Sequence, residues 1–206
     1  MLAEVSSKLP WFFARAGGLV AWAVCTASIV WGLTLSTRLV RRKGAPAWLL
    51  DLHRFLGTLS IVFTGVHLLG LWLDTFLPFT LKDFVIPFNQ HLDLAGQRGR
   101  DALGRWRPGW VAWGVVAFYL LIAIQVTSWA MRKMPRKVWH TIHLSSFLLF
   151  AFATIHAFGT GADRKNRLVI FGCFTGVSFV LFLVLFRLLA PRKTKRSSAD
   201  RETVAV

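Results

Sequence analysis

Acid is scarce in this chain. Nine Asp and Glu stand against 25 Lys and Arg in 206 residues, a formal net charge of +16. The few carboxylates avoid the middles of the long apolar runs, which weakens any reading of those runs as a divalent-metal or proton path. There are only two cysteines, Cys25 and Cys173, each in the middle of such a run. That excludes a disulfide framework and a CxxC redox pair, and leaves both thiols as small apolar side chains. The glycine fingerprint GxGxxG of a nucleotide-binding turn is missing. Residues 1–10 lack the basic start and small-residue cleavage site of a signal peptide, and Pro10 is placed to start the first helix.

Apolar length is what the chain has in abundance: 55% of its residues are hydrophobic. Crossing the ~30 Å hydrocarbon core takes about 20 apolar residues. Five runs qualify, at about 11–35, 47–73, 109–131, 138–159 and 168–190. The expectation is an all-α polytopic membrane bundle, one domain over 1–190, followed by a basic, disordered tail at 191–206. The stretch Thr75 to Phe88 is too short and interrupted to cross and reads as an interfacial segment that caps what lies beneath it. The basic residues cluster between the runs, where topology and anionic lipid account for them better than nucleic acid does. With the N-terminus outside, the inner segments hold Arg38, Arg41, Arg42 and Lys43, then Arg132, Lys133, Arg136 and Lys137, then the six basic residues from Arg187 to Arg201. That is fourteen against ten outside, and positive charge favours the cytoplasmic side. The expected topology is N-out, C-in.

The histidines carry the chemistry. In the second run His53, Gly57, Ser60, Thr64 and His67 recur at steps of four and three, so all five share one helical face. Fourteen residues at ~1.5 Å each place the two imidazoles about 21 Å apart, near opposite sides of the membrane. The fourth run carries His140, His143 and His156, half of the protein's histidines. His143 and His156 match the depths of His53 and His67, whereas His140 reads as a neighbour. Thirteen residues turn an ideal helix so that two side chains point about 140° apart, so either this helix is kinked or its two histidines serve opposite flanks. In the first run Gly18, Ala21, Cys25, Ser28 and Gly32 form a small-residue seam, read as close helix packing in preference to cofactor contact. The fifth run, without charge until Arg187, reads as scaffold. His91 falls in the long connection and reads as an exposed loop histidine, with acceptor or metal binding as the alternative.

Ionisable groups buried in a membrane usually mark a functional path, and neutral imidazole is a favoured axial ligand of haem iron. Four histidines at two matched depths, with a small-residue corridor between two of them, point to two b-type haems, one per leaflet. The competing readings are core histidines that bond between helices, or a non-redox, histidine-lined transporter.

The pattern His53-x13-His67 on one span and His143-x12-His156 on another, in the contexts Leu52-His53-Arg54 and Ile155-His156-Ala157, resembles the ferric reductase-like transmembrane domain. That domain is shared by ferric-chelate reductases, NADPH oxidases and related bacterial cytochromes, and the likeness spans roughly residues 12–190. It implies that the four histidines are axial ligands of two stacked haems b, His53 with His143 on the inner side and His67 with His156 on the outer. It implies too that electrons arrive from a cytoplasmic flavin and nicotinamide domain. Only fifteen residues follow Pro191, so no FAD or NAD(P)H site is expected here and the donor is expected to be a separate flavoprotein or a diffusible carrier. Arg54 reads as a haem-propionate partner or as a snorkelling side chain beside Asp51. Lys137-x-Trp139-x3-His143-x12-His156 is also locally similar to the haem membrane subunit of the periplasmic methionine sulfoxide reductase system. That subunit lacks a counterpart of His53 and implies a single haem. A ferric chelate, oxygen, a quinone or a protein each remain open as acceptor.

Overall fold

In a computed structural model the chain is an all-α helical bundle. The structure describes residues 2–36, 47–75, 79–88, 108–160, 163 and 165–189. The basic link 37–46, His91 with the rest of 89–107, and the tail 191–206 lie outside them. In chain order the helices are α1 (Leu2–Ser36), α2 (Ala47–Leu73), a short α3 (Leu81–Val85), α4 (Pro108–Trp129), a 3-10 turn (Met131–Lys133), α5 (Arg136–Leu144), α6 (Ser146–Thr160) and α7 (Arg167–Leu189). Among the described residues five segments are long and apolar enough to cross a membrane: Lys8–Ser36, Ala47–Leu73, Gly109–Trp129, Arg136–Thr160 and Arg167–Leu189. The protein is an integral, multi-pass membrane protein, with its spans close to the expected bounds. Large apolar side chains on the outside, such as Leu168, Phe171 and Leu188 on α7, are what a bundle shows to lipid rather than to water.

α1 packs along α2, α4 packs along α6, and α1 also touches α6 and α7. Ile29 and Leu33 of α1 meet Phe150 of α6 and Val180 and Leu183 of α7 in one core cluster. Ala117, Leu121 and Ile124 of α4 meet Leu149 of α6 in another. Cys25 packs against both clusters. The helices that carry His67 and His156, α2 and α6, by contrast hardly touch each other. A gap runs between them.

Two local features depart from the simplest reading of the chain. α1 does not begin at Pro10 but runs through it. There a Cβ on Gly70 of α2 would come within 2.5 Å of the Ala14 nitrogen and 2.8 Å of the Pro10 carbonyl oxygen, so the helices meet backbone to backbone. A proline is tolerated inside a membrane helix that a neighbour packs against. The fourth span is broken at Ser145, whose Oγ–H donates to the Ile142 carbonyl at 2.6 Å. Side-chain bonding back to the preceding turn competes with the helix ladder and bends helices. This break separates His143 on α5 from His156 on α6.

The interfacial segment is ordered by its own chemistry. Thr80 donates its N–H and Oγ–H to Asp83 Oδ2 at 2.7 and 2.8 Å, starting α3 with a capping box. Tyr119 of α4 donates its O–H to the Val85 carbonyl at 2.5 Å. Phe79 and Phe84 stack on each other, and Phe79 packs with Val111, Trp11 and Leu71.

Candidate functional site

The geometry of the site follows from where each imidazole finds an acceptor. His67 Nδ1–H donates to the Ala14 carbonyl of α1 at 2.6 Å. His53 Nδ1–H donates to the Ser28 carbonyl at 3.0 Å, with Ser28 Oγ at 3.3 Å. His156 Nδ1–H donates to the Trp110 carbonyl of α4 at 2.9 Å. A carbonyl only accepts, so the proton of each neutral ring sits on Nδ1 and Nε2 keeps its lone pair for a metal. This is the outer-sphere arrangement that orients ligating histidines and makes them more basic.

Each of these carbonyls shares one structural feature. Four residues after Ala14, Ser28 and Trp110 stand Gly18, Gly32 and Gly114. A helical side chain leans back over the turn before it and covers that turn's carbonyl, so a glycine at the fourth position bares it. A Cβ would lie 2.9 Å from His67 Nδ1 at Gly18, 3.1 Å from His53 Cε1 at Gly32 and 2.6 Å from His156 Nδ1 at Gly114. Each ring thus sits in a notch made by a bare carbonyl and a missing side chain. Gly18, Ser28 and Gly32 of the α1 seam therefore meet imidazoles of α2, within the close packing of α1 along α2. Close backbone approach falls instead to Gly17, beside the His67 backbone, and to Gly70.

The four rings pair as the spacing indicates. His53 and His143 have ring centroids 5.9 Å apart at an interplanar angle of 76°, and His67 and His156 are 6.2 Å apart at 77°. Neither pair is joined by a hydrogen bond. Two imidazoles on opposite sides of one metal, each with a bond of about 2 Å and about 1 Å from nitrogen to ring centre, put the centroids about 6 Å apart. Both pairs leave that space. Among the described residues no third His, Cys or carboxylate completes a cluster of three around either pair, so the donor set is two neutral nitrogens. Two opposed imidazoles are what a planar tetrapyrrole needs from a protein, and the residues present fit haem.

A cavity of about 220 Å³ opens beside the second pair. His67, His156, Gly18, Gly114, Ser60 and Thr64 line it, with Phe79, Asp83 and Phe84 of the interfacial segment. The Ser60 and Thr64 hydroxyls donate to carbonyls of their own helix, Leu56 at 3.0 Å and Ser60 at 2.8 Å, so the corridor between the histidines is small and internally satisfied. Arg15 and Asp163 also line the cavity. They form a two-pronged ion pair, with Arg15 Nε donating to Asp163 Oδ2 at 3.1 Å and Nη2 to Oδ1.

Arg54 is exposed and donates to Asp51 Oδ1 at 3.3 Å, both side chains more than half exposed. His140 is exposed, its ring 6.4 Å from that of Trp139. Several contributors were not singled out from the sequence as parts of the site: Gly114 and Trp110, the Arg15–Asp163 pair and Asp83. The glycine four residues after an acceptor carbonyl is a signal once the histidine's neighbour is known. An ion pair 148 residues apart has no signal in one sequence.

A family model described as "Ferric reductase like transmembrane component" matches residues 17–154. The match covers the first two histidines and His143, and ends two residues short of His156. No curated protein and no solved structure matches the chain significantly.

Proposed function

This chain belongs to the ferric reductase-like transmembrane family, a family of cytochrome b-type membrane electron-transfer components, and from that premise we propose that it is a di-haem b cytochrome. It carries electrons from a cytoplasmic donor, a separate flavoprotein or a diffusible carrier, to an acceptor on the other side such as a ferric chelate, oxygen, a quinone or a protein. The observation that carries this reading is the pair of imidazole couples, 5.9 and 6.2 Å between centroids, set at two depths between helices that hardly touch. His53 and His143 hold one haem and His67 and His156 the other, which supplies a one-electron couple at each depth. The chain's own part is to orient those rings, to keep Nε2 free by holding Nδ1–H on a carbonyl, and to exclude water with the apolar faces of α4 and α6. Arg54 can exchange Asp51 for a haem carboxylate at little cost, because an exposed ion pair is weakly held. The charge distribution favours N-out, C-in, which puts His53 and His143 on the donor side.

A single-haem reading is favoured by one observation: the cavity is lined by His67 and His156 and not by His53 or His143. Haem b per chain, measured as the pyridine haemochrome on purified protein, separates the two. The di-haem reading expects a value near two, falling to about one in His53→Ala or His143→Ala. A value near one that His53→Ala leaves unchanged supports the single haem, and no haem after expression with ample supply overturns both.

A further inference from the structure

His143 is the exception among the four rings. Among the described residues no carbonyl accepts from it: its Nδ1 is buried with no hydrogen-bond partner there, and so is the Nε1 of Trp139. No described glycine has this ring among its nearest neighbours, unlike the other three. What His143 has is Trp139, one turn earlier on α5, whose ring lies 5.1 Å away by centroids and 23° from parallel. Position 139 is also beside exposed His140, yet the indole turns its face to residue 143. The break at Ser145 lies between this ring and His156, and α5, although it packs against α4, takes no carbonyl from it for His143.

We propose that Trp139 is the positioning residue of His143, its indole face doing for this ring what a glycine-bared carbonyl does for the other three. This rests on His143 being a haem ligand. A flat stack fixes the plane of the imidazole through contact area and takes no proton, so the 76° angle to His53 depends on a side chain rather than on backbone. The ring it holds also lacks the hydrogen bond that makes a ligating imidazole more basic. One of the four axial ligands is therefore both softer in orientation and a weaker donor, and a change at position 139 is felt at one haem alone.

Full-length protein in detergent, with haem content first established, is the material for the test. Two low-spin haem signals are read by electron paramagnetic resonance of the frozen oxidised protein, together with the two midpoint potentials from a redox titration. Trp139→Ala is expected to shift one signal and its potential while the other stays in place, and Trp139→Phe, which keeps the face and deletes the indole N–H, to restore the wild-type pattern. Trp139→Leu decides in place of the alanine variant should that one lose haem altogether: it keeps apolar bulk without a flat face, and is expected to shift the same signal. Wild-type signals and potentials in the alanine and leucine variants overturn the proposal while leaving the di-haem reading intact. A phenylalanine variant that behaves like alanine overturns it too, because the N–H and an acceptor brought by the cofactor would then hold the ring. Wild-type protein without haem would instead remove the reading on which the proposal stands.

Discussion

The His67–His156 couple and the His53–His143 couple hold their rings at nearly the same separation on different supports. At the first, both rings sit in glycine notches and donate to the backbone of packed helices, beside a cavity bordered by an ion pair and a capped interfacial segment. At the second, one ring has a notch and the other only a stacked indole. A bundle can hold an imidazole with main-chain atoms only where a helix runs alongside and offers a bared carbonyl. Where none is offered, side chains must take over. Backbone supports fail when a side chain is added, and side-chain supports fail when one is removed, which gives a way to break each couple separately.

The largest effect is expected from filling a notch. An alanine methyl at Gly114 would stand 2.6 Å from His156 Nδ1 and 2.7 Å from Cε1, closer than non-bonded atoms allow, so the ring must leave its carbonyl. On the di-haem reading, Gly114→Ala should lower haem content by about one per chain in the haemochrome assay. Gly18→Ala, at 2.9 Å from His67, should weaken haem retention less, and Gly32→Ala, at 3.1 Å from His53, least, since a few tenths of an ångström of give relieves it. The order Gly114, Gly18, Gly32 is the checkable result, and equal losses would mean that the notches do not set ring position.

The helix break comes next. Without the Ser145 hydroxyl the bond to the Ile142 carbonyl is lost, and the fourth span is freer to run straight, turning His143 towards the ~140° offset of an ideal helix. Ser145→Ala is expected to lower occupancy at the His53–His143 couple severalfold and to leave His67–His156 spectra unchanged. A loss confined to the latter would contradict the role given to the break.

A smaller effect is expected at the ion pair. Arg15 and Asp163 are 35% and 17% exposed, neither fully buried nor fully solvated, and a two-pronged pair of this kind contributes about 1 kcal/mol. Asp163→Asn should lower the thermal midpoint by a few degrees and loosen haem at His67–His156, without moving the signal of the other couple.

How much of this was legible beforehand follows from what one sequence carries. Span length and the face shared by His53, Gly57, Ser60, Thr64 and His67 are local periodicities, and the five crossings and the paired depths follow from them. The thirteen-residue spacing of His143 and His156 marked a choice between kink and opposite flanks, and the interruption at Ser145 that lies between them rests on a bond that no periodicity records. The seam on α1 was visible but its partner was not: Gly18 and Gly32 admit imidazoles, while Gly17, one position over, and Gly70 admit backbone. A sequence tells which residues share a face and not which neighbour that face meets. For the same reason Pro10 looked like a helix start, and the contact with Gly70 that carries the helix through it belongs to another span.

The smallest effect sharpens the comparison from outside both sites. Gly65 on α2 and Gly172 on α7 are exposed, and a Cβ at either would meet nothing within 4 Å. Alanine there asks only what a methyl does to a helix. The change removes the backbone freedom that makes glycine a poor helix residue, a gain of up to about 1 kcal/mol. Gly172→Ala and Gly65→Ala should therefore keep full haem content and unshifted signals and melt slightly higher, in the assay where Gly114→Ala loses a haem. If these outer variants also lost haem, the sensitivity at Gly114 would belong to glycine in membrane helices generally. If they do not, it belongs to the imidazole that the missing side chain lets in.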